Sequence, residues 1–205
     1  MTIRIYPTIL CCAHWRVAIK RLFAWALLLV LLQATVHSAP LILQGRIVWV
    51  TDGDTVTLLD ERQTLHKIRL AGIDAPESAM PYGHQATLYL VSLVFEKNVE
   101  AVAYKQDRYG RTVATLMLGA QDVNLAMLQA GMAWHYKRYA KEQPAAEAQA
   151  YAQAEELART KSLALWQDSD PSAPWDWRKS RRARSPHSVG AILTGKLAMY
   201  TGTNP

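Results

Sequence analysis

The stretch GRIVWVTDGDTVTLL, Gly45 to Leu59, followed after a short break by LHKIRL, Leu65 to Leu70, alternates apolar and polar residues and is rich in Val, Ile, Thr and Leu. A period of two with these residue types predicts half-buried β-strands. Asp52-Gly53 and Asp60-Glu61 supply turn residues between them, so the segment reads as a meander of short strands. Working toward the C-terminus, the period changes. Gly83 opens a segment, His84 to Phe95, whose Ala86, Leu90, Leu93 and Val94 recur at helical spacing. Val99 to Tyr104 and Arg111 to Leu118 return to the strand pattern around a turn at Gln106 to Gly110. Val123 to Ala130 predicts a short helix closed by Gly131, and Pro144 starts an Ala- and Glu-rich helix running to about Lys161. Trp166 ends the regular structure. Strands with an inserted helix, then more strands and terminal helices, point to a closed barrel with helices on its flank.

The 205 residues, half of them apolar, suffice for one compact domain and its appendages. Lys and Arg total 23 against 17 Asp and Glu, but the excess sits at the two ends. Residues 1–38 carry Arg4, Arg16, Lys20 and Arg21 with no acid, and residues 178–205 carry six cations with no acid. The segment between is net acidic, so phosphate capture there must rely on a few placed arginines and a metal ion rather than on a general positive field. Arg16, Lys20 and Arg21, the apolar run Leu22 to Leu32 and the small residues near Ser38 and Ala39 form an export signal. It is either cleaved after Ser38 or retained as an anchor through residues 16–38, so the expected location is periplasmic or secreted, with membrane contact only if the leader stays. Cys11 and Cys12 precede the apolar run, leaving the body without a disulfide or thiolate metal site. The domain is expected over residues 39–178, as a monomer, with residues 179–205 a basic tail that loses order after about residue 180.

Acids cluster in two turns, Asp52-Gly53-Asp54-Thr55 and Asp74-Ala75-Pro76-Glu77. Taken singly, each is an ordinary hairpin turn or loop start. Converging, they make a hard-oxygen site suited to calcium. Arg69 ends the strand leading to Asp74, and Arg111 follows the turn Asp107-Arg108-Tyr109-Gly110; two such arginines can hold a phosphate and stabilise its transition state. The six histidines show no ligand-spaced pair, which argues against zinc.

The strings VTDGDTVTL, IRLAGIDAPE, DRYGRTVATL and VNLAMLQAGMAW occur in the order and at roughly the distances found in the staphylococcal nuclease (thermonuclease) family. The resemblance covers about Leu43 to Trp166. It implies an α+β, mainly β fold: a five-stranded OB-fold barrel with about three flanking helices. It also implies calcium held by Asp54, Asp74 and the main-chain carbonyl of Ala75, with Asp52 and Thr55 orienting those ligands, and Glu77 as general base. By the same resemblance Arg69 and Arg111 grip the scissile phosphate and Arg108, Tyr109 and Tyr136 meet the substrate. The implied activity is hydrolysis of DNA and/or RNA with little sequence preference, leaving 5′-hydroxyl and 3′-phosphate ends. Trp134 is left open between base stacking and core packing. A noncatalytic nucleic-acid-binding OB-fold module at the cell envelope is the competing reading; the presence of all five charged site residues argues against it.

Overall fold

The computed structural model describes residues 41–184; the leader and the far end of the tail lie outside them. Five strands do most of the work: β1 (Leu41–Asp52), β2 (Thr55–Asp60), β3 (Leu65–Leu70), β5 (Asn98–Gln106) and β6 (Thr112–Leu118). The first part of β1 pairs antiparallel with β5, and from Gly45 onward it pairs with β2. Irregular register between Ile47 and Trp49 and between Val50 and Asp52 bends the strand between its two neighbours. β2 pairs with β3 and β5 with β6, both antiparallel, and a parallel pairing of β3 with β6 closes the barrel. This three-residue ladder joins the two outermost long strands and shortens their free edges.

Inside, the period of two does what it implies. Ile47, Val56, Leu58, Ile68, Leu70, Ala101, Ala114 and Leu116 are fully or almost fully buried. Helix α1 (Gly83–Val94) contributes Ala86, Leu90 and Val94 to this core, α2 (Val123–Gln129) contributes Met127 and Leu128, and α3 (Ala145–Thr160) contributes Tyr151. α2 ends in a Schellman motif. Gly131, at φ 68, donates to the Leu128 carbonyl, and Met132 donates back to Met127.

A two-residue strand β7 (Gln121–Asp122) folds back to pair antiparallel with the end of β6, and a separate two-stranded ladder joins β4 (Ile73–Asp74) to β8 (Trp134–His135). The sequence pattern predicts neither, because two residues carry no period. A second apolar cluster gathers Trp134, Ala158, Leu165, Trp166 and Ala173. Trp134 is therefore a packing residue: it meets Trp166 and Trp175 edge-on at 4.5 and 5.6 Å between ring centres.

The chain stays ordered beyond the point where a tail is expected to begin. A fourth helix, α4, runs from Pro174 to Arg184, past both the expected domain end at 178 and the expected loss of order near 180. Pro174 opens it with Asp176 in the first turn, and Arg181, Arg182 and Arg184 occupy the last, a charge order that complements the helix dipole.

Candidate catalytic cleft

The turn between β1 and β2 is built to present Asp54. The Asp54 backbone N–H donates to Asp52 Oδ1 at 3.1 Å, and the Thr55 hydroxyl donates to Asp54 Oδ1 at 3.0 Å. The other carboxylate oxygen, Oδ2, accepts the Ala75 N–H at 2.9 Å, which ties this turn to the second acidic segment. Gly53 makes the approach feasible, since a Cβ there would lie 2.7 Å from that of Ala75 and 2.8 Å from that of Ala86. Asp74 is fixed from the other side by the pairing of β4 with β8 opposite Trp134. It is completely buried, and Asp54 is almost so.

Buried carboxylates need compensation. On β3, Ile68 and Leu70 face the core, so Arg69 between them faces the opposite way. Its Nη2 donates to Asp74 Oδ1 at 2.9 Å and lies 3.0 Å from Asp54 Oδ2; Nη1 donates to the Leu70 carbonyl. One nitrogen thus touches both carboxylates, which brings Asp54 and Asp74 side by side as the sequence reading requires.

A second guanidinium comes from the helix that the sequence reading treats as tail. Arg178 on α4 donates from Nη2 to Asp74 Oδ2 at 2.6 Å, and from Nη1 to Glu77 Oε1 at 2.7 Å and Asp74 Oδ1 at 3.3 Å. Its signal was present in the sequence: Pro174 followed by Asp176 and a basic end is a helix signature, and Trp175, Arg178, Lys179 and Arg182 then share one face.

Arg111 stands apart from the carboxylates. The β5–β6 turn folds around Asp107, whose Oδ1 accepts the N–H groups of Tyr109 and Arg111 and whose Oδ2 accepts Arg111 Nε at 2.7 Å. Among the described residues the Arg111 side chain donates no hydrogen bond beyond this Nε contact, and it lines the cleft. Tyr109 is exposed, with the Arg108 and Arg111 guanidinium groups 4.9 and 5.6 Å from its ring centre. Tyr136 stacks on Trp175 at 5.2 Å with the rings nearly parallel.

All these groups line one cleft of about 1060 Å³: Asp52, Asp54, Arg69, Asp74, Ala75, Glu77, Arg108, Tyr109, Arg111 and Tyr136, with Trp175, Arg178, Lys179 and Arg182 of α4. The electrostatics follow the burial. Desolvation, and then the negative charge of Asp54, pushes Asp52 up to about 6. Burial also raises Asp74, against the hydrogen bond from Arg178 and the charge of Arg69. For Asp107 burial works upward, but the Arg111 side chain and the turn N–H groups outweigh it and leave the carboxyl below its ordinary value. Burial pulls Arg178 down, yet its bonds to Asp74 and Glu77 leave it raised and firmly charged.

The donor chemistry fits a hard divalent cation. Asp54 and Asp74 offer oxygen, no thiolate or imidazole lines the cleft, and the shared Arg69 nitrogen shows that one positive group can touch both carboxylates. Among the described residues no three His, Cys, Asp or Glu side chains are arranged so that they could hold a metal ion between them, so further ligands would be main-chain carbonyl, such as that of Ala75, and water. His135 is buried against Tyr151 and Gln143, and His84 lies on the surface of α1.

Residues 67–168 match the family described as staphylococcal nuclease homologue. An uncharacterized endonuclease of Haemophilus influenzae is 39% identical over 137 residues, which are 67% of this chain and 74% of that protein. A micrococcal nuclease of Shigella flexneri is 38% identical over 148 residues, covering 68% of this chain and 82% of its own length. Protein ParB of Escherichia coli is 35% identical over 151 residues, 69% of this chain and 82% of that one. Helix α4 lies beyond the segment matched by the family.

Proposed function

The chain belongs to the staphylococcal nuclease family and is a nuclease acting on nucleic acid, and from that premise we propose that it is calcium-dependent and cleaves DNA and RNA with little sequence preference, leaving 5′-hydroxyl and 3′-phosphate ends. The observation that carries this reading is the convergence of Asp54 and Asp74 on one Arg69 nitrogen, in a cleft that also holds Glu77 and Arg111.

Each side chain has a task that its placement supports. Asp54, Asp74 and the Ala75 carbonyl would hold calcium, and a bound calcium ion supplies positive charge to a phosphoryl oxygen. Glu77 is about a third exposed at the cleft wall and accepts only from Arg178 among the described residues. As a carboxylate it takes a proton from the attacking water. Arg111, whose side chain is tethered among the described residues through Nε, presents N–H donors matched to phosphate oxygens. Arg69 places positive charge at the cleft floor beside the carboxylates. Arg108, Tyr109 and Tyr136 line the approaches and meet the sugar, base or flanking phosphate. A site that reads phosphate and sugar carries no base information, which is why little sequence preference follows.

The basic and apolar leader supports export to the periplasm or exterior; its structure lies outside the described residues, and among those described no helix is long and apolar enough to cross a membrane. Digestion of single-stranded DNA, duplex DNA and RNA by the purified protein, in calcium and then in EGTA, tests the activity. Cleavage in calcium that stops in EGTA, with new ends that a polynucleotide kinase labels without prior phosphatase, is the expected result. Undiminished cleavage in EGTA, or ends that need phosphatase first, would overturn it.

A further inference from the structure

Helix α4 contributes more to the cleft than Arg178 alone. Trp175, Arg178, Lys179 and Arg182 all line the cavity, and their spacing of three, four and seven residues is that of a single helical face. Two interactions fix that face in place. At its start Trp175 lies flat on Tyr136, and in its middle Arg178 is held by Asp74 and Glu77. Lys179 follows Arg178 directly and Arg182 lies one turn further on, about 6 Å along the axis; both are exposed at the cleft wall, and among the described residues neither is paired with a carboxylate. The helix therefore runs from the catalytic carboxylates outward as a row of cations that leaves the acidic floor behind.

We infer that α4 is a backbone-tracking wall: Lys179 and Arg182 bind phosphates of a polynucleotide flanking the one being cut, with Arg178 and Trp175 positioning the helix against the reaction centre. This rests on the nuclease reading and deepens it, by making the preferred substrate a chain of several nucleotides rather than a dinucleotide. The chemistry is that of exposed cations beside an anionic polymer, for which counterion release supplies affinity without base preference. It also accounts for how a body that is net acidic between its ends retains a polyanion. Arg178, Lys179 and Arg182, three of the cations in the basic C-terminal segment, line the site itself.

The test is fluorescence anisotropy of a labelled 20-nucleotide single strand in calcium, as a function of salt, with the full chain carrying Glu77→Gln so that the strand is not consumed. Adding Lys179→Ala and Arg182→Ala is expected to weaken binding on the order of tenfold at low salt and to flatten the plot of log affinity against log salt by about 1.4, or 0.7 for each phosphate of a single strand that is no longer neutralised. Lys179→Arg with Arg182→Lys keeps both charges and restores the slope. Arg181→Ala with Arg184→Ala removes the same charge from positions that do not line the cleft, and is expected to leave the slope nearly as it was. An unchanged slope in the 179/182 pair, or an equal fall in both pairs, overturns the inference. If the otherwise wild-type chain cuts nucleic acid, either result does so without touching the nuclease reading. If that chain cuts no nucleic acid, the nuclease reading falls first and the inference with it.

Discussion

Glu77→Gln separates chemistry from folding because of where Glu77 sits. The side chain is about a third exposed and accepts a single hydrogen bond, from Arg178 Nη1 at 2.7 Å. Glutamine keeps the shape and an acceptor oxygen, so what changes is charge. A partly exposed ion pair contributes at most about 1 kcal/mol, and Arg178 keeps its bonds to Asp74. The melting temperature is expected to move by no more than about 4 °C. The reaction has far more to lose, since a positioned general base contributes roughly 10²- to 10⁴-fold. At about 1.36 kcal/mol per tenfold, that raises the barrier by about 2.7–5.4 kcal/mol. The assay is single-turnover cleavage of an end-labelled strand at saturating calcium, alongside thermal denaturation and strand binding. Binding within a few-fold of wild type with a rate at least about 100-fold lower is the expected pattern. A rate close to that of wild type, in a variant that melts normally, would remove Glu77 from the role of base.

Three further outcomes follow from the geometry. Gly53→Ala drives a methyl group into Ala75 and Ala86, so it is expected to cost about 1–3 kcal/mol and, by displacing Asp54 from Asp74, to weaken calcium affinity measured by titration calorimetry more than Ala120→Gly on the distant β6–β7 turn does. Asn124 is wholly buried, accepting from Leu116 N–H and donating to the Ala71 and Ala114 carbonyls; Asn124→Ala removes these three bonds, while the Ala114 carbonyl keeps the Ala71 N–H, and should lower urea-unfolding stability by about 1–3 kcal/mol. Burial raises Asp122 above the ordinary 3.8, opposed by the Leu125 N–H and the Tyr151 hydroxyl. A raised carboxyl holds its proton longer folded than unfolded, so its contribution to stability falls as pH rises above 3.8. Asp122→Asn, which keeps a helix-capping oxygen, should gain on wild type in urea midpoint between pH 4 and pH 7, and a difference that does not change with pH would contradict this.

The barrel was legible because its signal is periodic. Val56, Leu58, Ile68 and Leu70 alternate inward over two strands, and α1 places Ala86, Leu90 and Val94 on one side, so the strands, the inserted helix and the order of elements follow from spacing. Asp54, Asp74, Glu77 and Arg69 stood out as charged residues clustered at strand ends, their individual roles came from motif resemblance, and the structure brings them together. The β4–β8 ladder was not legible, since long-range pairing of two residues leaves no trace in composition. Arg178 was missed for a different reason: a helix of which more than half the residues are charged reads as a solvated end. A helix held by one stacked Trp and three charge-assisted bonds needs no apolar stripe, which is the feature that periodicity detects.

The link from Arg178 to Asp74 spans 104 residues, and that to Glu77 spans 101. A ribosome adding roughly 5–20 residues per second therefore makes both acids about 5–20 s before it makes their arginine. Until then the growing polypeptide has its barrel strands but not the last wall of its own cleft, and the two acids wait for their second guanidinium.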